Sequence, residues 1–146
     1  MAEPVEPERD SVTEIRRVGF EDVGRWALNN GTIIPVGDDA NRLQHLLDDY
    51  PQALYAFCVN NEVKYIGKTV RTLRQRFQGY RFPGARADGP NVRCNAEIRQ
   101  ALGDGCEVII LALPNRAPLK WGRFSINLAA GLEDALIEDI QPDWNA

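Results

Sequence analysis

The residues best suited to chemistry in this chain are two tyrosines, an arginine and a glutamate. Tyr55 and Tyr65 stand on either side of a short Asn-rich connection, Arg76 follows, and Glu133 lies in a distant apolar segment. A guanidinium can donate a fork of hydrogen bonds to a phosphate, and one carboxylate with waters and a phosphate is a usual way to hold Mg²⁺. These residue types suit phosphodiester hydrolysis, which needs an activated water, a stabiliser of charge at phosphorus and a cation at the leaving oxygen.

The two tyrosines need neighbouring strands to bring them together. Residues 53–59 and 63–66 are two β-prone runs around Asn60-Asn61-Glu62, a pattern that predicts a hairpin on which both rings can face one side. Gly67 is expected to end the second strand. Thr69 is then a suitable N-cap for a helix over residues 70–80, which presents Arg76.

The remaining elements are predicted from apolar spacing and turn residues. Helices are expected over residues 39–47, 95–102 and 128–140, and a short amphipathic turn over 20–28. A buried strand is expected over residues 107–113 and an edge strand over 32–36 after the turn 29–31. Residues 82–92 and 114–124 are expected to be loops. The fold class is therefore α+β, a small, mainly antiparallel sheet flanked by helices.

The charge distribution indicates a polyanionic partner despite the net charge of −4. Residues 64–99 carry nine basic and two acidic side chains, a local charge of +7, whereas residues 1–50 carry eleven acidic and five basic ones. A local basic field is what phosphate binding requires. The predicted DNA-binding residues are Lys64, Arg71, Arg74, Arg81, Arg86 and Arg93.

Five pieces of this sequence, in order, resemble the GIY-YIG nuclease family. They are Leu54-Tyr55-Ala56, Tyr65-Ile66-Gly67-Lys68-Thr69, Leu73-Arg74-Gln75-Arg76-Phe77, Tyr80, and the ending from Glu133 to Pro142-Asp-Trp-Asn145. The ending is most similar to those of GIY-YIG restriction enzymes and of the nuclease half of the bacterial excision-repair incision protein. Ala53 departs from the family pattern, which usually has Gly there, but this change touches no catalytic group.

The resemblance covers about residues 53–146 and implies a domain organisation. Residues 1–11 are expected to form a disordered tail and residues 12–52 an N-terminal extension packed on the core. Residues 53–146 would be the nuclease domain, with an insertion around 82–127 because the distance between the matched arginine and glutamate exceeds that of minimal members.

The resemblance also implies roles for the matched residues. Tyr55 would be the general base and Arg76 the phosphate ligand, while Glu133 would hold Mg²⁺, with Mn²⁺ as the alternative. Lys68 would lower the pKa of the tyrosine base. Tyr80 would orient water or phosphate. Asn145 would position groups by a hydrogen bond across the site, with Trp144 packed in the core to anchor it.

The implied function is a DNA endonuclease of restriction or defence type. A structure-specific repair nuclease that acts with a partner, and a non-catalytic nucleic-acid-binding module of the same fold, are the alternatives. A homodimer is left open, because one site cuts one strand. Widely spaced Cys58, Cys94 and Cys106 predict reduced thiols, and the sequence has neither a secretory signal nor a membrane-spanning run. A cytoplasmic protein is expected.

Overall fold

The computed structural model describes residues 10–84, 89–116 and 119–146. In chain order the elements are α1 Ser11–Val18, β1 Glu21–Asn29, β2 Thr32–Val36, α2 Ala40–Asp48, β3 Leu54–Val59, β4 Glu62–Lys68, α3 Leu73–Arg81, α4 Pro90–Gly103, β5 Val108–Leu113, β6 Leu119–Trp121, β7 Phe124–Ile126, α5 Leu128–Ile140 and a short 3₁₀ helix Asp143–Asn145.

Five strands form an antiparallel sheet in the order β2-β1-β5-β3-β4. Every residue of β3 is buried, because helices cover both faces of the sheet. A strand that is buried on both faces does not alternate apolar and polar residues. The predicted α+β class is confirmed. The N-terminal residues contribute β1 and β2 to this same sheet, and β2 is the edge strand that Pro35 predicted.

The helices divide the core into two clusters, one on each face of the sheet. Trp26, Tyr55, Phe57 and Tyr65 lie in the cluster that buries side chains of α2, α3 and α4. The opposite face, which includes Leu54, packs against α1 and α5. Neighbouring residues of β3 therefore point into different layers, as the two-residue period of a strand requires. The strand β4 lies at the edge, where α3 and α5 approach from opposite sides.

The amphipathic turn expected over residues 20–28 is wrong, because β1 occupies this segment. The apolar residues of this segment have the spacing of a helix because the strand contains a bulge between Asp22 and Gly24. The extra residue brings Val23 and Trp26, three positions apart, into the same core cluster. A spacing of three is typical of one face of a helix, so the bulge makes a strand imitate a helical turn.

Several boundaries also differ from the expectations. The N-cap of α3 is Thr72, which forms a capping box with Gln75, and Val70 lies before the helix with an exposed side chain. The helix α4 begins five residues early, at Pro90, a residue favoured in a first turn. The helix α1 was not predicted, and its cap Asp10 lies inside the expected tail. The expected loop 114–124 contains β6 and the beginning of β7.

The thiols are free, and Cys58 and Cys94 are buried. Burial raises the pKa of Cys58 to about 12, so this thiol stays protonated and unreactive at neutral pH. Among the described residues the longest helix, α4, has 14 residues and is too short to cross the hydrocarbon of a bilayer.

Candidate active site

Three tyrosine hydroxyls converge beneath the edge of the sheet. The Tyr55 and Tyr80 hydroxyl oxygens are 2.6 Å apart, and Tyr80 Oη donates to Tyr65 Oη over a longer distance of 3.4 Å. Tyr55 and Tyr65 face one side, as the hairpin predicted, with their ring centroids 6.3 Å apart. Tyr80 reaches them from α3. Tyr55 and Tyr80 are fully buried, while Tyr65 is 8% exposed and forms the outer end of this tyrosine network.

A close approach of strand to ring fixes the position of Tyr55. Tyr55 pairs with Gly67 across the hairpin. A Cβ added to Gly67 would lie 2.4 Å from the Tyr55 hydroxyl oxygen and 2.5 Å from Cζ, distances that real contacts do not show. Gly67 is therefore required because the ring occupies the space of its missing side chain. The strand also continues past Gly67 to Lys68, one residue further than expected.

Arg76 lies over the tyrosine network, because α3 presents it one turn before Tyr80. Its guanidinium carbon is 4.2 Å from the centroid of the Tyr80 ring, a cation–π geometry. Its Nη1 donates to Asn91 Oδ1 over 2.8 Å. Asn91 belongs to the first turn of α4, so two helices hold one half-buried cation above the hydroxyls.

Burial dominates the protonation of the tyrosines. It raises the pKa of Tyr55 and of Tyr80 well above the ordinary value of a phenol, and the positive charge of Arg76 only partly opposes this. Burial also raises the pKa of Tyr65, against the hydrogen bond from Tyr80. The lowered tyrosine pKa expected from Lys68 is not found, and the cation that acts on these rings is Arg76.

Lys68 instead pairs with Glu133. The Lys68 Nζ lies 3.7 Å from Glu133 Oε1 across the β4 edge, and the Glu133 side chain is 16% exposed. Burial raises the pKa of Glu133, and Lys68 opposes the shift. The charge of Glu133 in turn raises the pKa of Tyr65, so the carboxylate lies within electrostatic reach of the outer end of the network.

The carboxylate beside the tyrosine network belongs to Glu133. In the described ranges no cluster of three or more His, Cys, Asp or Glu side chains forms a closed metal cage. A single, partly exposed carboxylate fits Mg²⁺, which keeps several waters and takes phosphate oxygens as further ligands. Glu133 is the residue that would hold such an ion.

The C-terminal segment clamps the strand that carries Tyr65. Asn145 Nδ2 donates to the Ile66 carbonyl and Asn145 Oδ1 accepts from the Ile66 amide, both over 2.9 Å. The side chain therefore completes the unpaired edge of β4 as a further strand residue would. Trp144 packs against the core cluster of the tyrosines. Asn145 thus lies beside the site and bonds its backbone.

Two of the predicted DNA-binding residues are paired with acids of the chain. Arg74 forms a fork to Asp48, with Nε–Oδ1 at 2.6 Å and Nη2–Oδ2 at 3.2 Å. Lys64 Nζ lies 2.9 Å from Glu62 Oε2 and 3.1 Å from Asp143 Oδ2. The basic charge at these two positions is partly neutralised inside the folded chain, which a count along the sequence does not show.

The other predicted DNA-binding residues have different surroundings. Arg81 Nε donates to the carbonyl of Ile33 over 2.9 Å, and Arg93 donates to the carbonyl of Ala146. Arg71 is exposed just before α3. Arg86 lies outside the described residues.

Sequence reasoning missed Asn91 and expected Gly67 only to end a strand. Asn91 lies in a segment expected to be a loop, and its type and spacing give no sign that it bonds Arg76. Gly67 was quoted within a motif, but the need for glycine arises from the ring of Tyr55 on the paired strand.

No family model and no curated protein matches the sequence. The fold is similar to that of a point mutant of bacteriophage T4 EndoII, with a TM-score of 0.70 and 23% identity, over 94% of this chain and 100% of that chain. It is also similar to the restriction endonuclease Hpy188I, solved in complex with product DNA, with a TM-score of 0.51 and 13% identity, over 95% of this chain and 83% of that chain. At these identities the likeness shows a shared fold.

Proposed function

We propose that this chain is a GIY-YIG type endonuclease that hydrolyses phosphodiester bonds of DNA with the help of Mg²⁺ or Mn²⁺. The observation that carries the proposal is the convergence of five matched side chains at one edge of the sheet. They are Tyr55, Tyr65, Tyr80, Arg76 and Glu133. Residues from a hairpin and two helices, separated by up to 78 positions, meet there. The fold shared with two endonucleases supports the same proposal.

The proposed chemistry assigns a task to each side chain. Arg76 binds a non-bridging phosphate oxygen and stabilises the charge that develops there. The tyrosine network, in its deprotonated form, accepts the proton of the attacking water, with Tyr65 as its accessible end and Tyr55 and Tyr80 behind it. A metal ion held by Glu133 would supply a positive charge for the leaving oxygen. Lys68 would keep Glu133 ionised when the metal is absent.

Gly67 and Asn145 serve the site through geometry. Gly67 lets Tyr55 lie flat against β4, and Asn145 fixes the Ile66 peptide next to Tyr65. Residues 53–146 contain all of these groups, while β1 and β2 from the N-terminal residues complete the sheet that carries them. The proposed 82–127 insertion would add α4, which brings Asn91 to Arg76.

The test is nicking of supercoiled plasmid by the purified chain with Mg²⁺ and with EDTA. We expect relaxed and then linear product with Mg²⁺ and none with EDTA. The matched control is Glu133→Gln, which should not cut. A wild-type protein that binds DNA but never cuts it, at any divalent cation tested, would instead be a non-catalytic module.

The restriction or defence role belongs to the same proposal. The fold of this chain resembles that of a restriction endonuclease. Discrete fragments from a mapped plasmid would support this role, whereas cuts confined to branched or damaged duplexes would favour repair. A homodimer would bring two sites to two strands, and sedimentation of the wild type with and without DNA tests it.

A further inference from the structure

The hairpin of β6 and β7 has one wholly apolar face. Leu119 pairs with Ile126 and Trp121 with Phe124, and strand alternation places these four side chains on one side of the ribbon. Lys120 and its partner Ser125 point to the other side. All six strand residues are exposed, with Trp121 79% and Phe124 62% accessible to solvent.

The hairpin is also positively charged. Between Glu107 and Glu133 the sequence holds Arg116, Lys120 and Arg123 and no acidic residue. The Arg123 guanidinium carbon lies 5.1 Å from the centroid of the Phe124 ring, beside the apolar face. Arg116 is paired with Glu21, whereas among the described residues no ion pair involves Lys120 or Arg123 of the hairpin. Such a charge is complementary to a polyanion.

The tip of the hairpin is narrow. Gly122 and Arg123 connect the two strands, and Gly122 has a φ of +63°, a conformation that glycine adopts without strain. Trp121 and Phe124 flank this turn as the last pair of the ribbon. The most exposed aromatic side chains are therefore held at the end of a thin two-stranded projection.

We propose that this hairpin is a DNA-binding wedge. Its apolar face enters a groove of duplex DNA, Trp121 and Phe124 insert against the bases, and Lys120 and Arg123 contact the flanking phosphates. Two-stranded ribbons fit DNA grooves, and apolar side chains flanked by Arg or Lys are the means by which such proteins unstack and kink a duplex. The inference rests on the proposed nuclease function and specifies the part of the chain that grips the substrate.

The position of the hairpin suits this task. Its second strand leads through the N-cap Asn127 directly into α5. Glu133 lies about 8 Å along the helix axis from Leu128, given the rise per residue. DNA bound by the hairpin therefore lies at the N-terminus of α5, the helix that carries Glu133.

A second copy of this chain is the competing occupant of the apolar face. The charge favours DNA, because a second ribbon would add another Lys120 and Arg123 of the same sign and would supply no acidic side chain from the ribbon to neutralise them. A phosphate backbone instead neutralises them.

The experiment measures binding of a fluorescent duplex by anisotropy in EDTA, so that cleavage plays no part. Trp121→Ala is expected to weaken binding by roughly ten- to a hundredfold, the cost of one lost base–aromatic contact. Leu28→Ala, an exposed apolar side chain on β1, is the matched control and should bind as the wild type. Unchanged thermal unfolding would show that both variants are folded.

Two further measurements distinguish DNA from a second copy of the chain as the partner of the apolar face. Lys120→Ala with Arg123→Ala should lower the slope of log affinity against log salt by about 0.9 per lost phosphate contact, while Arg17→Ala on α1 should leave it unchanged. Trp121→Ala should sediment as the wild type in the absence of DNA. If Trp121→Ala binds DNA as tightly as the wild type, the wedge is wrong. If Trp121→Ala sediments as a smaller species than the wild type, the wedge is also wrong, and the apolar face instead binds a second copy of the chain.

The wedge and the nuclease proposal fail separately. If the wild type cuts DNA and Trp121→Ala binds it equally well, only the wedge is wrong. If the wild type never cuts but Trp121→Ala still loses affinity, the nuclease proposal fails and the wedge stands.

Discussion

The hydroxyl oxygens of Tyr55 and Tyr80 lie 2.6 Å apart in a fully buried position, one on strand β3 beside the edge strand β4 and the other on α3. This distance is that of a hydrogen bond between two phenols, and the bond joins the sheet to the helix that carries Arg76. The relationship couples the protonation of Tyr55, Tyr65 and Tyr80, since Tyr80 contacts both of the others.

The cleavage rate should rise with pH over the neutral and mildly alkaline range. Burial raises the tyrosine pKa values above ordinary phenol values, so the deprotonated fraction grows about tenfold per pH unit below that pKa. Tyr55→Phe and Tyr65→Phe should both reduce the rate and flatten this rise, whereas Tyr50→Phe should not. Single-turnover cleavage rates from pH 6 to 9 measure this pH dependence for the wild type and the three variants. An unaltered slope in both site variants would place the base elsewhere.

Gly67→Ala should remove activity and lower stability. The new Cβ would lie 2.4 Å from the Tyr55 hydroxyl, so the ring or the strand must shift, at a cost of about 1–3 kcal/mol in the free energy of unfolding. Gly131→Ala on α5 is the control, because its Cβ would meet nothing within 4 Å. That variant should gain about 0.5–1 kcal/mol. Urea unfolding and plasmid nicking together check both. Full activity of Gly67→Ala would refute the tight fit.

Glu133→Gln should abolish cleavage and leave the fold intact. The change removes the charge that would hold the metal while it keeps the size of the side chain. Glu138→Gln, an exposed position on the same helix, is the control and should cut normally. Affinity for DNA in EDTA should barely change in either variant. Cutting by Glu133→Gln at the wild-type rate with Mg²⁺ would show that another group holds the ion.

Arg76→Ala should slow cleavage by about a hundredfold or more, as the loss of one preorganised charge stabiliser does. Arg76→Lys should not restore the rate, because an ammonium cannot form the fork. Asn91→Ala should slow cleavage less than Arg76→Ala does, since it removes only the 2.8 Å hydrogen bond to the guanidinium.

A double-mutant cycle tests this link. Asn91→Ala should have no further effect when Arg76 is already alanine, because Asn91 acts through it. Gln100→Ala on α4 is the control. Additive losses in the double variant would show that Asn91 has a task of its own.

Arg71 and Arg74 should differ in their effect on DNA binding. Arg71 is exposed before α3, whereas Arg74 is committed to Asp48 by a fork. Arg71→Ala should lower the salt slope of binding by about 0.9, and Arg74→Ala should change it less. Affinity against salt for the two variants measures this. Equal slopes for both variants would show that the ion pair opens when DNA binds.

The sequence alone predicted the tyrosines, the arginine and the glutamate of the candidate site, and it predicted most of the elements that carry them. The hairpin followed from two β-prone runs around Asn60 and Asn61, both of which adopt positive φ in the structure. Local propensity and spacing suffice there because a turn and its flanking strands depend on adjacent residues. The last helix was predicted with its observed bounds, Leu128–Ile140, since its apolar spacing and the following Pro142 are local signals too.

Tertiary structure decided what depends on distant parts of the chain. The bulge in β1 moved Val23 into the core and disguised a strand as a helical turn. Folding paired Lys64 and Arg74 with acids and so partly neutralised the basic charge at these two positions, and it gave Arg76 a partner in Asn91. It also raised the tyrosine pKa values, because desolvation is set by the layers of the core that surround a ring, and no local pattern of residues specifies them.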